Sequence, residues 1–168
     1  MWEISPKRLM KYLLFALTLF VSACSVKHYE ITSTKLFTIK TSQMRFNDIA
    51  YLRHSGDAVE LELYMAGQVV NKITINHLIC VQNKGCMTKS QFNSRFLVEE
   101  YPSDILQHIL LKKPIFEGQN LQKTKDGFEQ TIQTNSVNII YKVDAKRCHF
   151  KDKHNHILIK MKDMNNGK

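Results

Sequence analysis

Gly56-Asp57-Ala58-Val59-Glu60-Leu61-Glu62-Leu63-Tyr64-Met65-Ala66-Gly67-Gln68-Val69-Val70-Asn71-Lys72-Ile73-Thr74-Ile75 alternates apolar and polar side chains on both sides of a short turn. Val59, Leu61, Leu63 and Met65 share one parity, with Glu60, Glu62 and Tyr64 on the other. A period of two is the geometry of a strand that buries one face. Gly56-Asp57 supplies a turn before the run and Ala66-Gly67 one after it, and Val69, Asn71, Ile73 and Ile75 carry the pattern back as an up-and-down hairpin.

The same period extends in both directions. Phe37 and Ile39, then Met44 and Phe46, mark a first strand, and Ile49-Ala50-Tyr51-Leu52 a second. Downstream, Phe128, Gln130 and Ile132 alternate, as do Val137, Ile139, Tyr141 and Val143; Ile157, Ile159 and Met161 share one face of a last strand. The middle differs. Phe92 and Phe96 stand four apart within Thr88 to Phe96, which fits one or two helical turns. Tyr101-Pro102-Ser103-Asp104 reads as a helix start, with Ser103 as a cap, and Ile105, Leu106, Ile109 and Leu110 form an amphipathic stripe that Pro114 ends. The expected fold is mainly β with helices (α+β): an antiparallel sheet of about eight to eleven strands with one or two central helices.

The N-terminus has a different character. Lys7, Arg8 and Lys11 precede an apolar run from Tyr12 to Val21, which leads into Val21-Ser22-Ala23-Cys24. That run is well short of the roughly 20 residues of a spanning helix. A basic start, an apolar core and small residues before a cysteine resemble the lipobox of bacterial lipoproteins. The resemblance implies a signal over 1–23, a diacylglyceryl group on the Cys24 thiol, an acyl group such as palmitate on its amine, and attachment to a membrane by lipid. The alternatives are an ordinary membrane anchor or a secretory signal with an incidental cysteine. Residues 24–35, polar and mixed, read as a tether, and 36–168 as one domain. The whole chain has 24 Lys and Arg against 15 Asp and Glu; Lys7, Arg8, Lys11 and Glu3 belong to the signal, which leaves a net charge of +7. Such an excess favours anionic surfaces or acidic partners. The basic residues are scattered, and nucleic acid is not the expected partner. Cys80 and Cys86 flank the turn sequence Asn83-Lys84-Gly85, and a hairpin there would place them opposite each other; the reading favours a disulfide over two buried thiols, with Cys148 unpaired.

Further resemblance lies in the C-terminal half. Leu106-Gln107-His108-Ile109-Leu110-Leu111-Lys112-Lys113-Pro114, the strand pair Glu129-Gln130-Thr131-Ile132 and Val137-Asn138-Ile139-Ile140-Tyr141, and His156 to Asp163 resemble segments of the LolA/LolB-like lipoprotein-localisation family, LolB above all. Leu63-Tyr64-Met65-Ala66-Gly67 sits where that family has a strand leading into a protruding apolar loop. The chain departs from it in having His108 and Met164 at places where LolB tends to carry tryptophan, and Met65-Ala66 at the tip instead of a bulky leucine. The resemblance implies an open antiparallel half-barrel covered by helices, an apolar cavity that takes acyl chains, and a LolA-like periplasmic carrier as partner. It also implies an outer-membrane address facing the periplasm, a role in lipoprotein transport, and no enzymatic activity; Ser25 after the cysteine is similar to an outer-membrane sorting signal.

The residues expected to line such a cavity are Leu61, Leu63, Ile73, Ile75, Ile105, Leu106, Ile109, Leu110, Ile139, Tyr141, Ile157 and Ile159; the ordinary reading of each is core, and the sharper one is that some of them line a ligand cavity. Met65 and Ala66 are either a tip that enters a membrane or partner, or a plain hairpin end. Cys148-His149 with His154 and His156 superficially resembles a metal cluster, but the spacing matches no zinc pattern and Phe150-Lys151-Asp152-Lys153 reads as a solvated turn. No carboxylate pair stands apart from polar strand faces, so no catalytic residue, cofactor or metal is expected, and a monomer is. The rival reading is an assembly lipoprotein with a packed core that binds another envelope protein.

Overall fold

A computed structural model describes residues 29–164. The signal, Cys24 and the first part of the tether lie outside the described residues.

Eleven strands make one sheet, antiparallel at every pairing and not closed on itself. Strands β1 (Ile31–Lys40), β2 (Arg45–Ser55), β3 (Ala58–Met65), β4 (Gln68–Ile75), β5 (Leu78–Val81) and β6 (Gly85–Thr88) form a meander. Helices α1 (Lys89–Phe96) and α2 (Ile105–Leu110) follow, and then a second meander of β7 (Leu121–Lys123), β8 (Phe128–Gln133), β9 (Asn138–Val143), β10 (Arg147–Asp152) and β11 (Ile157–Asp163). The order β6-β5-β4-β3-β2-β1-β11-β10-β9-β8-β7 joins the two meanders where β1 pairs with β11.

Register puts the apolar parity of every long strand on one face. Val59 lies opposite Ile75, Leu61 opposite Ile73, Ile39 opposite Ile159, Phe150 opposite Tyr141, and Ile132 opposite Ile139. These side chains are buried. Between β2 and β10 the β1–β11 seam intervenes, yet α2 touches both sides of it. Gln107 donates to the Asp57 carbonyl in the β2–β3 turn, and the Cys148 thiol of β10 points at the carbonyl of Ile109. Strands β3 and β10 would be about 19 Å apart on a flat sheet, given about 4.8 Å between neighbours. Residues two apart on a helix can reach both only because the sheet curls round α2. Its buried face is therefore concave.

Three expectations about elements need correction. The first strand does not run through Met44 and Phe46: the chain turns at Thr41, whose hydroxyl accepts from the amides of Gln43 and Met44, and Phe46 belongs to β2. The tether does not extend to residue 35, because β1 begins at Ile31 and Lys35 is buried against Asp163 at 2.5 Å. Phe150-Lys151-Asp152 is no solvated turn; it is the end of β10, with Phe150 and Asp152 fully buried.

The hairpin of β5 and β6 sets Cys80 opposite Cys86, and the two form a disulfide. Asn83 and Gly85 in its turn have positive φ. Cys148 is free and buried, and burial pushes its thiol pKa up to about 12, so the native thiol is unreactive. A chain starting at Ser25 should therefore take no alkyl label when native, one when denatured and three when denatured and reduced. Mass spectrometry after alkylation reads this directly, and three labels without reduction would remove the bridge.

Candidate functional site

The concave face is closed by a plug, residues 89–119, that enters from β6 and leaves to β7. Thr88 starts α1 with a capping box: its hydroxyl accepts from the Gln91 amide, and the Gln91 side chain accepts from the Thr88 amide. The Thr88-x-x-Gln91 spacing is visible in the sequence and would have fixed this boundary. The helix turns Phe92 and Phe96 inward, their rings 4.8 Å apart. At α2 the N-cap is Asp104, not Ser103, and no side-chain cap bond forms; Asp104 instead meets His108 at 3.2 Å. Five of the six residues of α2 are buried, so it is a core helix rather than a surface one.

Polar side chains fasten this plug, mostly to the second meander. Gln130, on the buried face of β8, behaves like a strip of backbone. Its carbonyl accepts from the Ile115 amide at 2.9 Å, and its amide donates to the Ile115 and Gln119 carbonyls at 2.9 and 2.8 Å. Tyr141 donates to the Lys113 carbonyl. Tyr101, between the helices, donates to Asp152 at 2.6 Å. Asp152 also accepts from the side chain of Asn155 and from the amides of Asn138, His154 and Asn155. Burial pushes the Asp152 carboxyl pKa up, but these donors outweigh it and hold the group below the usual carboxylate range. Burial and the Asp152 contact raise the Tyr101 pKa, keeping its proton in place. Against the first meander the plug is tied mainly by Gln107 and Lys113, which both reach Asp57. Within the plug, Asn93 donates to the carbonyls of Tyr101 and Pro102, while its own carbonyl oxygen is buried without a partner.

All twelve residues expected at an acyl cavity lie on this concave face or on α2, and none is more than 3% exposed. They pack against one another in a single core. The clefts of the molecule are at its surface. One of about 320 Å³ lies at the plug rim between Asp57, Asn76, Gln107 and His108, and another of about 420 Å³ borders Tyr29, Leu78 and Cys80.

No family model matches this chain, and neither does any curated protein. Its chemistry is therefore read from geometry alone. Met65 is 51% exposed at the β3–β4 tip, where Ala66 and Gly67 both take positive φ, and Val69 and Val70 beside it are exposed too. The Cys148, His149, His154 and His156 set is not brought together as ligands: Cys148 faces the core from β10, His149 faces outward, and the other two stand in the turn that follows. The sequence does not disclose Gln130, Asp152 and Gln107 as polar fasteners: Gln130 falls in the alternation of Phe128 and Ile132, but parity does not say which backbone groups a polar side chain will meet.

Proposed function

We propose that this chain is a lipid-anchored, periplasm-facing protein of LolA/LolB-like build that binds acyl chains on its concave face and delivers them to the outer membrane. The observation that carries the reading is the cover of that face: an apolar sheet surface of many strands is closed by two short helices on a single excursion of the chain, not by a second sheet. On this reading the cover moves as a unit, giving up its ties to Gln130 and Asp152. Once displaced, it uncovers a trough in which an acyl chain gains about 0.8 kcal/mol per buried methylene, with no need for hydrogen bonds. Anchoring at Cys24 would confine delivery to the membrane that holds the protein, and a soluble acidic carrier would supply the cargo.

The second reading, an assembly lipoprotein with a packed core, is favoured by the near-zero exposure of the twelve concave residues. The two part in one experiment. The chain from Ser25 should carry fatty acids or phospholipid into mass spectrometry after purification and should take up a fluorescent fatty acid. A protein that does neither is the assembly lipoprotein. At the tip, Met65→Glu should change stability by no more than about 0.5 kcal/mol, since the side chain is exposed. It should reduce insertion of cargo into vesicles, and unchanged insertion would make the tip a plain hairpin end.

A further inference from the structure

The convex face of the sheet has two halves with opposite electrostatic habits. On β2 to β4, charges are matched across strands: Arg53 meets Glu60 and Glu62 at 2.8 Å, and Lys72 meets the same two carboxylates at 2.8 and 3.3 Å. On β9 to β11, basic side chains gather without that matching. Arg147 lies opposite Lys162, and Lys142 and Lys160 flank His149, whose pKa burial and the neighbouring lysines hold below the usual imidazole range, leaving the ring uncharged at neutral pH. In the next row, Lys40 opposes Arg45 on β1 and β2. Such pairs destabilise a sheet unless something else answers the charge. Among the described residues, Lys142 pairs with Glu129 and Arg147 with Asp144, while Lys151, Lys160 and Lys162 have no acidic partner. Apolar side chains interleave with them, Leu36 being 44% exposed beside Lys162, with Leu158 between Lys40 and Lys151.

We infer that this basic face of β9–β11 and β1 is a docking surface for an anionic phospholipid membrane. An array of lysines on the convex face with leucines between them fits a headgroup layer, where each lysine near the surface is worth roughly fivefold in affinity. The position of the anchor points the same way, and to that extent the inference rests on the Cys24 reading. The chain from Cys24 to Ile31 spans at most about 25 Å, and β1, the strand it leads into, borders this face through Leu36 opposite Lys162 and, at its far end, Lys40 opposite Leu158.

The test is cosedimentation of the unlipidated chain from Ser25, which contains the whole described sheet and core, with phosphatidylcholine vesicles with and without phosphatidylglycerol. Binding should require the anionic lipid and should fall about a hundredfold in the triple variant Lys151→Gln, Lys160→Gln, Lys162→Gln. A charge-matched control, Lys84→Gln, Lys123→Gln, Lys125→Gln, should bind as the wild type does, with thermal melts confirming that both variants are folded. Equal binding to neutral vesicles, no binding to anionic ones, or an equal loss in the control overturns the inference; absence of vesicle binding would leave an acidic protein as the partner of this face. Fatty-acid uptake separates the two proposals. Wild-type protein that binds anionic vesicles but takes no fatty acid keeps the docking face and loses the acyl-carrier reading, and the converse result does the reverse.

Discussion

Asp152→Ala is expected to lower unfolding stability by about 3–5 kcal/mol at pH 7, measured by urea denaturation. The side chain is fully buried and accepts from Tyr101, Asn155 and three backbone amides. Removing it strands the buried Tyr101 hydroxyl and takes the shared acceptor from the part-buried donors of Asn138, His154 and Asn155, and each unsatisfied buried group costs about 1–3 kcal/mol before relaxation. Tyr101→Phe removes one donor only and should cost about 1–2 kcal/mol. The pH dependence has a definite sign. The folded pKa of Asp152 lies below its unfolded value, so its stabilisation is present above an unfolded pKa of about 3.9 and fades as pH falls through the folded one. The gap between wild type and Asp152→Ala should therefore narrow at strongly acid pH. Parallel curves down to that range would mean the carboxylate is not held as described.

Phe150→Ala should cost about as much, 3–5 kcal/mol, for an apolar reason. The ring is fully buried on β10 and meets Tyr101 and Tyr141 edge-on at 5.9 and 6.2 Å. Cutting it back opens a void under the plug, and the sheet on either side is held by its ladders and cannot collapse into the space. For a domain of this size the loss should lower the melting temperature by roughly 10–20 °C. The acyl-carrier reading adds a second readout: fatty-acid uptake per folded molecule should rise, because the plug has lost part of its packing. A drop below about 1 kcal/mol would show that the plug settles into the gap.

Both predictions fall on β10, the long strand that the sequence did not disclose, and the reason is physical. Arg147 to Asp152 offers the core a cysteine, a phenylalanine and an aspartate, so the alternation that announces Val59 to Met65 is interrupted by a buried charge. The start of β1 was hidden in the same way, since Ser33 and Lys35 occupy its inward positions and Lys35 is buried only because Asp163 meets it from β11. Strands with apolar inward faces were all legible, as were the α2 stripe and the facing cysteines. The candidate site was legible in part. Its apolar residues follow from parity, whereas the fasteners of the plug depend on which backbone groups come to lie opposite Gln130 or Asp152, and that is fixed only by the finished fold.

The seam between β1 and β11 has a consequence in time. The first and last strands of the sheet are neighbours at its centre, while each meander on either side is built from pairings of short sequence separation. Local hairpins form early, but a contact spanning the whole chain must wait for loop closure over its full length. A polypeptide delivered N-terminus first thus holds two half-sheets with their apolar faces uncovered, and it becomes one sheet only after residues 157–163 are in place. Strand β11 acts as a keystone, and until it is set the edge of β1 that it will cover stays open to any other strand.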